Sequence, residues 1–353
     1  MIVIYYSLGE KKRLSTVQVD KRDTVKTLTL PQAAIFPAFD IISRLRTDCK
    51  QKIRSEAFIM EKNNTVAVNT ADKNGARLEK MRANLAALED RAAAILAKCT
   101  VPGAGLTAAD RAELLTLVNV AYHSSGKIET ISSLDSTAGC EFCAAMRKAA
   151  ENDPRIICGM CYAAADSWKE AAWRRHQLNA KIMSTVLFTV DELRVGLSIN
   201  TFRCRINEDG DVVNVIHGQN ILRLFAAFPH VDFGFWYKNV AAVAGALAAE
   251  GITRRDDRPK NARFVQSSVI IGQPGAARWF SDVVFTVYPD AAQTVAAIQT
   301  GAFECNGRKC KDCGYNCYNC AKNSADSVQH VAEVLRCSAG KRSAILTACA
   351  ARV

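Results

Sequence analysis

No stretch of 18 consecutive apolar residues occurs in the chain, so a membrane-spanning helix is not expected. The first residues, MIVIYYSLGEKKR, run apolar before charged. A secretory leader has the reverse order, and none is expected. Aromatic residues are sparse at 7%, whereas apolar residues make up 49%; that balance fits a soluble globular protein. Blocks of five or more lysines and arginines are also absent, although the net charge is +11. A charge of that size favours polyanions such as nucleic acid, or else describes a generally basic, solvated surface. The oligomeric state does not follow from any of this.

Cysteine, by contrast, is abundant. There are 14, and nine lie in two short groups. Disulfide scaffolds are usually small and secreted, and a chain of 353 residues in which no leader is expected fits neither description. Grouped cysteines in such a chain point to metal. The first group is Cys140, Cys143, Cys158 and Cys161: two C-x2-C pairs with 14 residues between them. The spacing fits a four-cysteine zinc site and equally an iron–sulfur cubane. Four unliganded core cysteines would be a coincidence, because two such pairs rarely arise by accident. The second group is Cys305, Cys310, Cys313, Cys317 and Cys320, five cysteines in 16 residues, with Gly307 and Gly314 permitting tight turns. Four thiolates close a metal site and one is spare; spacing does not choose the metal. Cys49, Cys99, Cys204, Cys337 and Cys349 stand alone and read as ordinary buried small residues.

Residues 1–75 look irregular after a short strand-like start. Over 76–98 apolar residues recur at three- and four-residue steps (Leu78, Met81, Leu85, Leu88, Ala92, Leu96), the pattern of an amphipathic helix. A second helix is expected after Thr107 as N-cap, with Asp110 at N3, which makes a helical hairpin. Beyond residue 190 the texture alternates. LRVGLSINTFRCRI, VDFGFWYK, FVQSSVIIG and DVVFTVYP read as strands. GQNILRLFAAF, NVAAVAGALAAEG and DAAQTVAAIQTG read as helices, with Gly251 and Gly301 as stops and Asp290 as a cap. Four or five strands alternating with helices of 10–13 residues predict an α/β fold. Its parallel sheet is either a partial (β/α) barrel or an open sheet, with the functional face beyond the carboxyl ends of the strands.

CGMCYA, followed by a basic aromatic helix, resembles the C-x(2–3)-C-Tyr-Ala element of the phage gene-product-88-like iron–sulfur proteins. These are akin to the radical S-adenosylmethionine (SAM) superfamily. GKIETISSLDSTAGC is similar to that family's approach to its first cysteine. RCRINEDGDVVNVIHGQNILRLFAAFPHVDFGFWYKN resembles its strand–Gly-Asp–helix–strand element. CNGRKCKDCGYNC resembles its C-terminal cysteine group, and VQHVAEV its trailing His segment.

The likeness covers about residues 125–335 and implies three parts. Residues 1–124 form an N-terminal extension with the helical hairpin, 125–340 an iron–sulfur α/β domain of the radical-SAM type, and 341–353 a tail. If phage-encoded, the protein works in the cytoplasm of a bacterial host.

The resemblance implies a 4Fe-4S cluster on Cys140, Cys143, Cys158 and Cys161 and an auxiliary cluster on the Cys305–Cys320 group. Radical-SAM proteins usually carry C-x3-C-x2-C, three thiolates that leave one iron open for SAM. Here the C-x3-C step is missing, and four bound cysteines would leave no open iron. Asn207, Asp209, Gly210 and Asp211, at a strand end, are candidate SAM-binding groups; EDGD is also good chemistry for a plain turn. Tyr162 could pack over the cluster or adenine. Lys238 and Arg203 could bind an anionic substrate. Arg174, Arg175 and Lys181 could touch phosphates. His176, His217 and His330 could be acid–base groups or ligands; packing or solvation is the ordinary role of each. A non-catalytic basic protein stapled by zinc or iron–sulfur sites, binding nucleic acid or another protein, is the alternative.

Overall fold

A computed structural model describes residues 77–99, 104–124, 128–136, 141–160, 170–305, 310–312, 314–320, 328–335, 337 and 339–350. The chain divides into two units, Met1–Arg77 and Leu78–Val353. Apart from Arg77, the described residues all belong to the second; the expectations for residues 1–75 lie outside them.

The helical hairpin is present. Helix α1 covers residues 77–96 and α2 Ala108–Leu117. Thr107 Oγ1 accepts from Asp110 N at 3.1 Å, and Asp110 Oδ2 accepts from Thr107 N at 3.1 Å. This reciprocal pair satisfies two otherwise orphaned amides. Lys98 donates to Asp110 as well, and it is the main cause that holds this carboxyl down at about 2. Along α1 the predicted stripe is buried at Leu85, Ala92 and Leu96 but not at Leu78 and Met81, which are exposed. The first turns border an open cavity, so their apolar side chains have no core to enter.

Among the described residues the sheet has eight strands, six of them beyond residue 190, where four or five are expected. They are β1 Ala121–Tyr122, β2 Ser132–Ser136, β3 Arg203–Gly210, β4 Asp232–Tyr237, β5 Ala262–Ser267, β6 Val283–Tyr288, β7 Phe303–Glu304 and β8 Gln329–Val334. Their order across the sheet is β1-β2-β3-β4-β5-β6-β8-β7; only β1 is antiparallel to its neighbour. The connecting helices are α3 Glu141–Ala150, α4 Glu170–Thr185, α5 Val190–Gly196, α6 Val215–Ala227, α7 Val240–Ala249 and α8 Ala291–Gln299, and α9 Ala339–Ala350 closes the chain. Gly251 (φ +71°) and Gly301 (φ +101°) end α7 and α8 in the left-handed region, and Asp290 caps α8.

Two strand readings need correction. LRVG belongs to α5, because Thr189 and Glu192 form a second capping box. FVQSSVIIG ends as a strand at Ser267; beyond it Ile270 turns to bridge Ile156.

Alternation sorts the two faces. Cys204, Ile206, Phe233, Phe235, Tyr237, Ala262 and Phe264 point into the main core with α1, α2 and α4 to α7. Phe225 of α6 anchors this layer, with ring centroids 4.7 Å from Phe233 and 5.8 Å from Phe235. The opposite face carries a lateral row of register partners, Arg205, Gly234 and Arg263. At the edge of the core, Arg258 and Asp282 form a buried bidentate pair at 2.7 and 2.9 Å. Asp282 also accepts from Phe264 N at 2.9 Å. Of the lone cysteines, Cys204 is fully buried, Cys99, Cys337 and Cys349 are half-buried, and Cys49 lies outside the described residues.

Candidate functional site: two cysteine groups on one sheet

The first group stands at the carboxyl ends of the strands. β2 runs directly into the loop that precedes α3, and α3 carries a half-buried Cys143. The chain then returns along the loop after β5. Ile157 N donates to Val269 O at 2.9 Å, and Ile271 N to Arg155 O at 2.8 Å. That anchorage sets the 3-10 turn Ile157–Met160, which holds Cys158. The turn packs on α3 so closely that a Cβ at Gly159 would lie 2.7 Å from Ala150 Cβ. Cys140, Cys161 and Tyr162 lie outside the described residues.

EDGD is not a free turn. Between the pairs Leu134–Ile206 and Ser136–Gly210, β2 advances two residues and β3 four, which makes a bulge in β3. Asn207 sits in it at φ +62° and Gly210 follows at +111°. Asn207 Oδ1 accepts from Ser136 Oγ at 2.6 Å, and its amide donates to Trp236 O at 3.1 Å. Asp211 is buried and accepts from Val212 N, Lys238 N and Asn239 N at 2.7, 2.9 and 3.1 Å. Burial pushes its carboxyl up, while the Lys238 charge and the three amides pull it down. Both side chains thus tie the ends of β2, β3 and β4 together. The Asp209 side chain lies outside the described residues.

The second group crosses the face opposite the helices, at the amino-terminal halves of the strands. Cys305 N donates to Ala332 O at 2.7 Å beside β7. The segment carrying Cys310, Cys317 and Cys320 then lies over the far strands. Tyr315 stacks under Arg203, with the guanidinium 4.0 Å from the ring centroid. Tyr318 packs on Ile128 and Ile131 and covers Gly234, where a Cβ would come within 2.7 Å of its ring. Arg263, 2% exposed, donates to Asn319 O at 2.9 Å and Gln329 Oε1 at 2.6 Å.

Among the described residues, Arg263 Nε, Tyr318 Oη and Trp236 Nε1 are buried donors in this interface without a hydrogen-bond partner. Burial lowers the Arg263 pKa, and Cys317 works in the opposite sense. Burial pushes the Cys320 thiol up to about 12, with Asp232 adding to the rise. The metal-free thiol is therefore protonated, and a metal bound there would displace the proton. Cys313 lies outside the described residues.

The remaining candidates are scattered. Arg203, the first residue of β3, packs on Tyr315 of the second cysteine segment. Arg174 pairs with Glu89 of α1 at 2.5 Å, and Lys181 is exposed. His217 is buried, its Nδ1 accepting from Val213 N at 3.1 Å, and burial lowers it to about 4. His330 is exposed on β8. His176 and Arg175 line a cavity of about 560 Å³ at the end of β2, together with His123, Asp135 and Glu208. These last three were not singled out in the sequence. They are isolated in the chain, and only the pairing of β1, β2 and β3 brings them together.

Comparison of the chain with family models, with characterised proteins and with solved structures gives no match.

Proposed function

We propose that the chain is an iron–sulfur protein of the radical-SAM type, with a partial (β/α) barrel. The carrying observation is the strand order, in which β2, β3, β4, β5, β6 and β8 follow one another in parallel across the sheet. From β2 to β7 the chain steps in one direction across the sheet, and right-handed crossovers put the connecting helices on one face; the step back from β7 to β8 puts the second cysteine segment on the other. The other face is left to curl into a barrel lining, and the site belongs at the carboxyl rim. Cys143 and Cys158 stand at that rim, each beside a partner one C-x2-C step away.

The donor sets fit the groups. Cys158 and Cys161 with one or both of Cys140 and Cys143 would hold the first 4Fe-4S cluster, and four of Cys305, Cys310, Cys313, Cys317 and Cys320 the auxiliary one. An auxiliary cluster's sulfurs accept hydrogen bonds; Arg263 Nε and Tyr318 Oη are buried donors near Cys317 with no acceptor among the described residues. With three thiolates bound, the first cluster offers an iron to SAM and an electron for its reductive cleavage. The chain's own part is positional. Asn207 and Asp211 fix the strand ends, Gly210 and Asp209 border the SAM side, Tyr162 follows the last ligand, and the core keeps the rim rigid.

The test is an anaerobic preparation assayed for iron, sulfide and zinc. About eight irons per chain, four to each cubane, with a visible spectrum that bleaches on reduction, is expected. Stoichiometric zinc without sulfide overturns the reading in favour of a stapled, non-catalytic protein. Formation of 5′-deoxyadenosine from SAM then tests catalysis.

A further inference from the structure

We infer that His123, Asp135 and Glu208 form a binding site for one divalent cation of the Mn²⁺, Fe²⁺ or Zn²⁺ class, separate from both cysteine groups. One ligand atom from each residue lies within 4.8 Å of the other two. His123 Nε2 and Glu208 Oε2 are 3.4 Å apart. Metal bonds of 2.0–2.2 Å in a tetrahedral sphere separate two ligands by about 3.4 Å, so this pair already has the spacing of ligands on one ion.

The site is built by the sheet. His123 follows β1, and its backbone pairs with Ile131 beside β2. Asp135 is the residue of β2 facing the bulge. The bulge turns Glu208 so that its N–H donates to Asp135 Oδ1 at 2.6 Å while its carboxylate reaches His123. Ser133 Oγ donates to Asp135 Oδ2 at 2.6 Å and lies 2.7 Å from His123 Nε2. The first of these bonds orients Asp135 in the way that hydrogen bonds orient ligands around a metal; the second engages the ligating nitrogen, and a bound cation would replace it. Asp135 is 3% exposed, and a carboxylate's two oxygens offer about four acceptor positions, so hydrogen bonds and a metal bond can share it. His176 Nε2 stands 3.9 Å from Asp135 Oδ2, within reach as a further ligand.

One imidazole and two carboxylates suit Mn²⁺, Fe²⁺ or Zn²⁺ better than soft, thiolate-seeking ions. A bound cation would also offset two carboxylates held in a part-buried pocket. Three protein ligands leave coordination positions open toward the cavity of about 560 Å³, where the ion could polarise a water or a substrate oxygen.

Mn²⁺ is the probe, because thiolates compete poorly for it. The full chain is titrated anaerobically and free Mn²⁺ is followed by electron paramagnetic resonance. One Mn²⁺ per chain is expected, with nitrogen coupling from an imidazole in the pulsed spectrum. Glu208→Gln and His123→Ala should each weaken binding at least about tenfold with unchanged circular dichroism, and Cys305→Ser should leave it intact. If His123→Ala does not fold, Glu208→Gln decides, since the amide is isosteric. Absence of binding up to about 1 mM, absence of nitrogen coupling, or full affinity in Glu208→Gln overturns the site. Iron and sulfide content does not bear on this outcome.

Discussion

Replacing Gly234 by alanine tests whether the second cysteine segment is seated on the sheet. An added Cβ would lie 2.7 Å from Tyr318 Cδ1 and Cε1 and 3.2 Å from Cys317 O. Carbon contacts settle near 3.5–4.0 Å, so something must move by about 1 Å. Gly234 is fixed in mid-strand between Arg205 and Arg263, and Cys317 O is backbone. The 3-10 turn Asn316–Tyr318 must therefore lift.

Overpacking of this kind costs about 1–3 kcal/mol, and the loss of glycine's chain entropy returns about 0.5–1 kcal/mol. At the middle of these ranges the net is a destabilisation of about 1 kcal/mol, or about 2–4 °C in Tm for a unit of this size. The lifted turn should also expose Cys317 and Cys320, both half-buried. Alkylation of these thiols in metal-free protein, followed by mass spectrometry, should be faster in the variant. Gly340→Ala is the control: its Cβ meets nothing within 4 Å, and in α9 it should be neutral or slightly stabilising. A Gly234→Ala protein that melts with the wild type and is alkylated at the same rate would refute the seating of Tyr318 on β4.

His217 gives a pH dependence. Burial lowers it to about 4, from an ordinary value of 6.5, so the unfolded chain takes up the proton first as pH falls. Its contribution is fully present above about pH 6.5 and is lost by about pH 4, for a total of about 3 kcal/mol. His217→Asn, which keeps an acceptor for Val213 N, should flatten the urea midpoint over that window; an unchanged slope would assign the acid sensitivity elsewhere. Arg258→Met strands the Asp282 carboxylate, 3% exposed, and should cost about 3–5 kcal/mol in denaturant unfolding. Adding Asp282→Asn should recover part of it, and no recovery would mean that packing, not charge, is responsible.

Local chemistry made much of this legible. Thr107 with Asp110, Asp290, Gly251 and Gly301 carry helix-end signals that act within a few residues, and the alternation of Phe233, Phe235 and Tyr237 needs only the pleat. The capping pair Thr189 and Glu192 was equally readable, but the β-branched and apolar run after it looked more like a strand. β2 was missed because SSLDS is polar, although all five residues are buried; its stability comes from neighbours on both sides. EDGD satisfies turn preferences, and its bulge exists only because β2 advances two residues there. Likewise Asn207 and Asp211 have side chains that bind water, ligand or backbone equally well, and the adjoining strand ends decide. His123, Asp135 and Glu208 converge through register, which no spacing encodes.

The path of the second cysteine segment has a consequence for the order of assembly. It leaves the β7 edge and comes to rest against Ile131, which the ribosome makes 187 residues before Tyr318. Closing a loop of that length costs about 5 kcal/mol of chain entropy, and nothing repays it until β3, β4 and β5 offer a surface to land on. The sheet therefore has to exist before the segment docks. A nascent or truncated chain ending before residue 305 can build the helical layer but leaves the Arg205, Gly234 and Arg263 row bare. In the biogenesis of the protein this contact forms after the strands it lands on, and it ties the C-terminal part of the unit to Ile128 and Ile131 near β2.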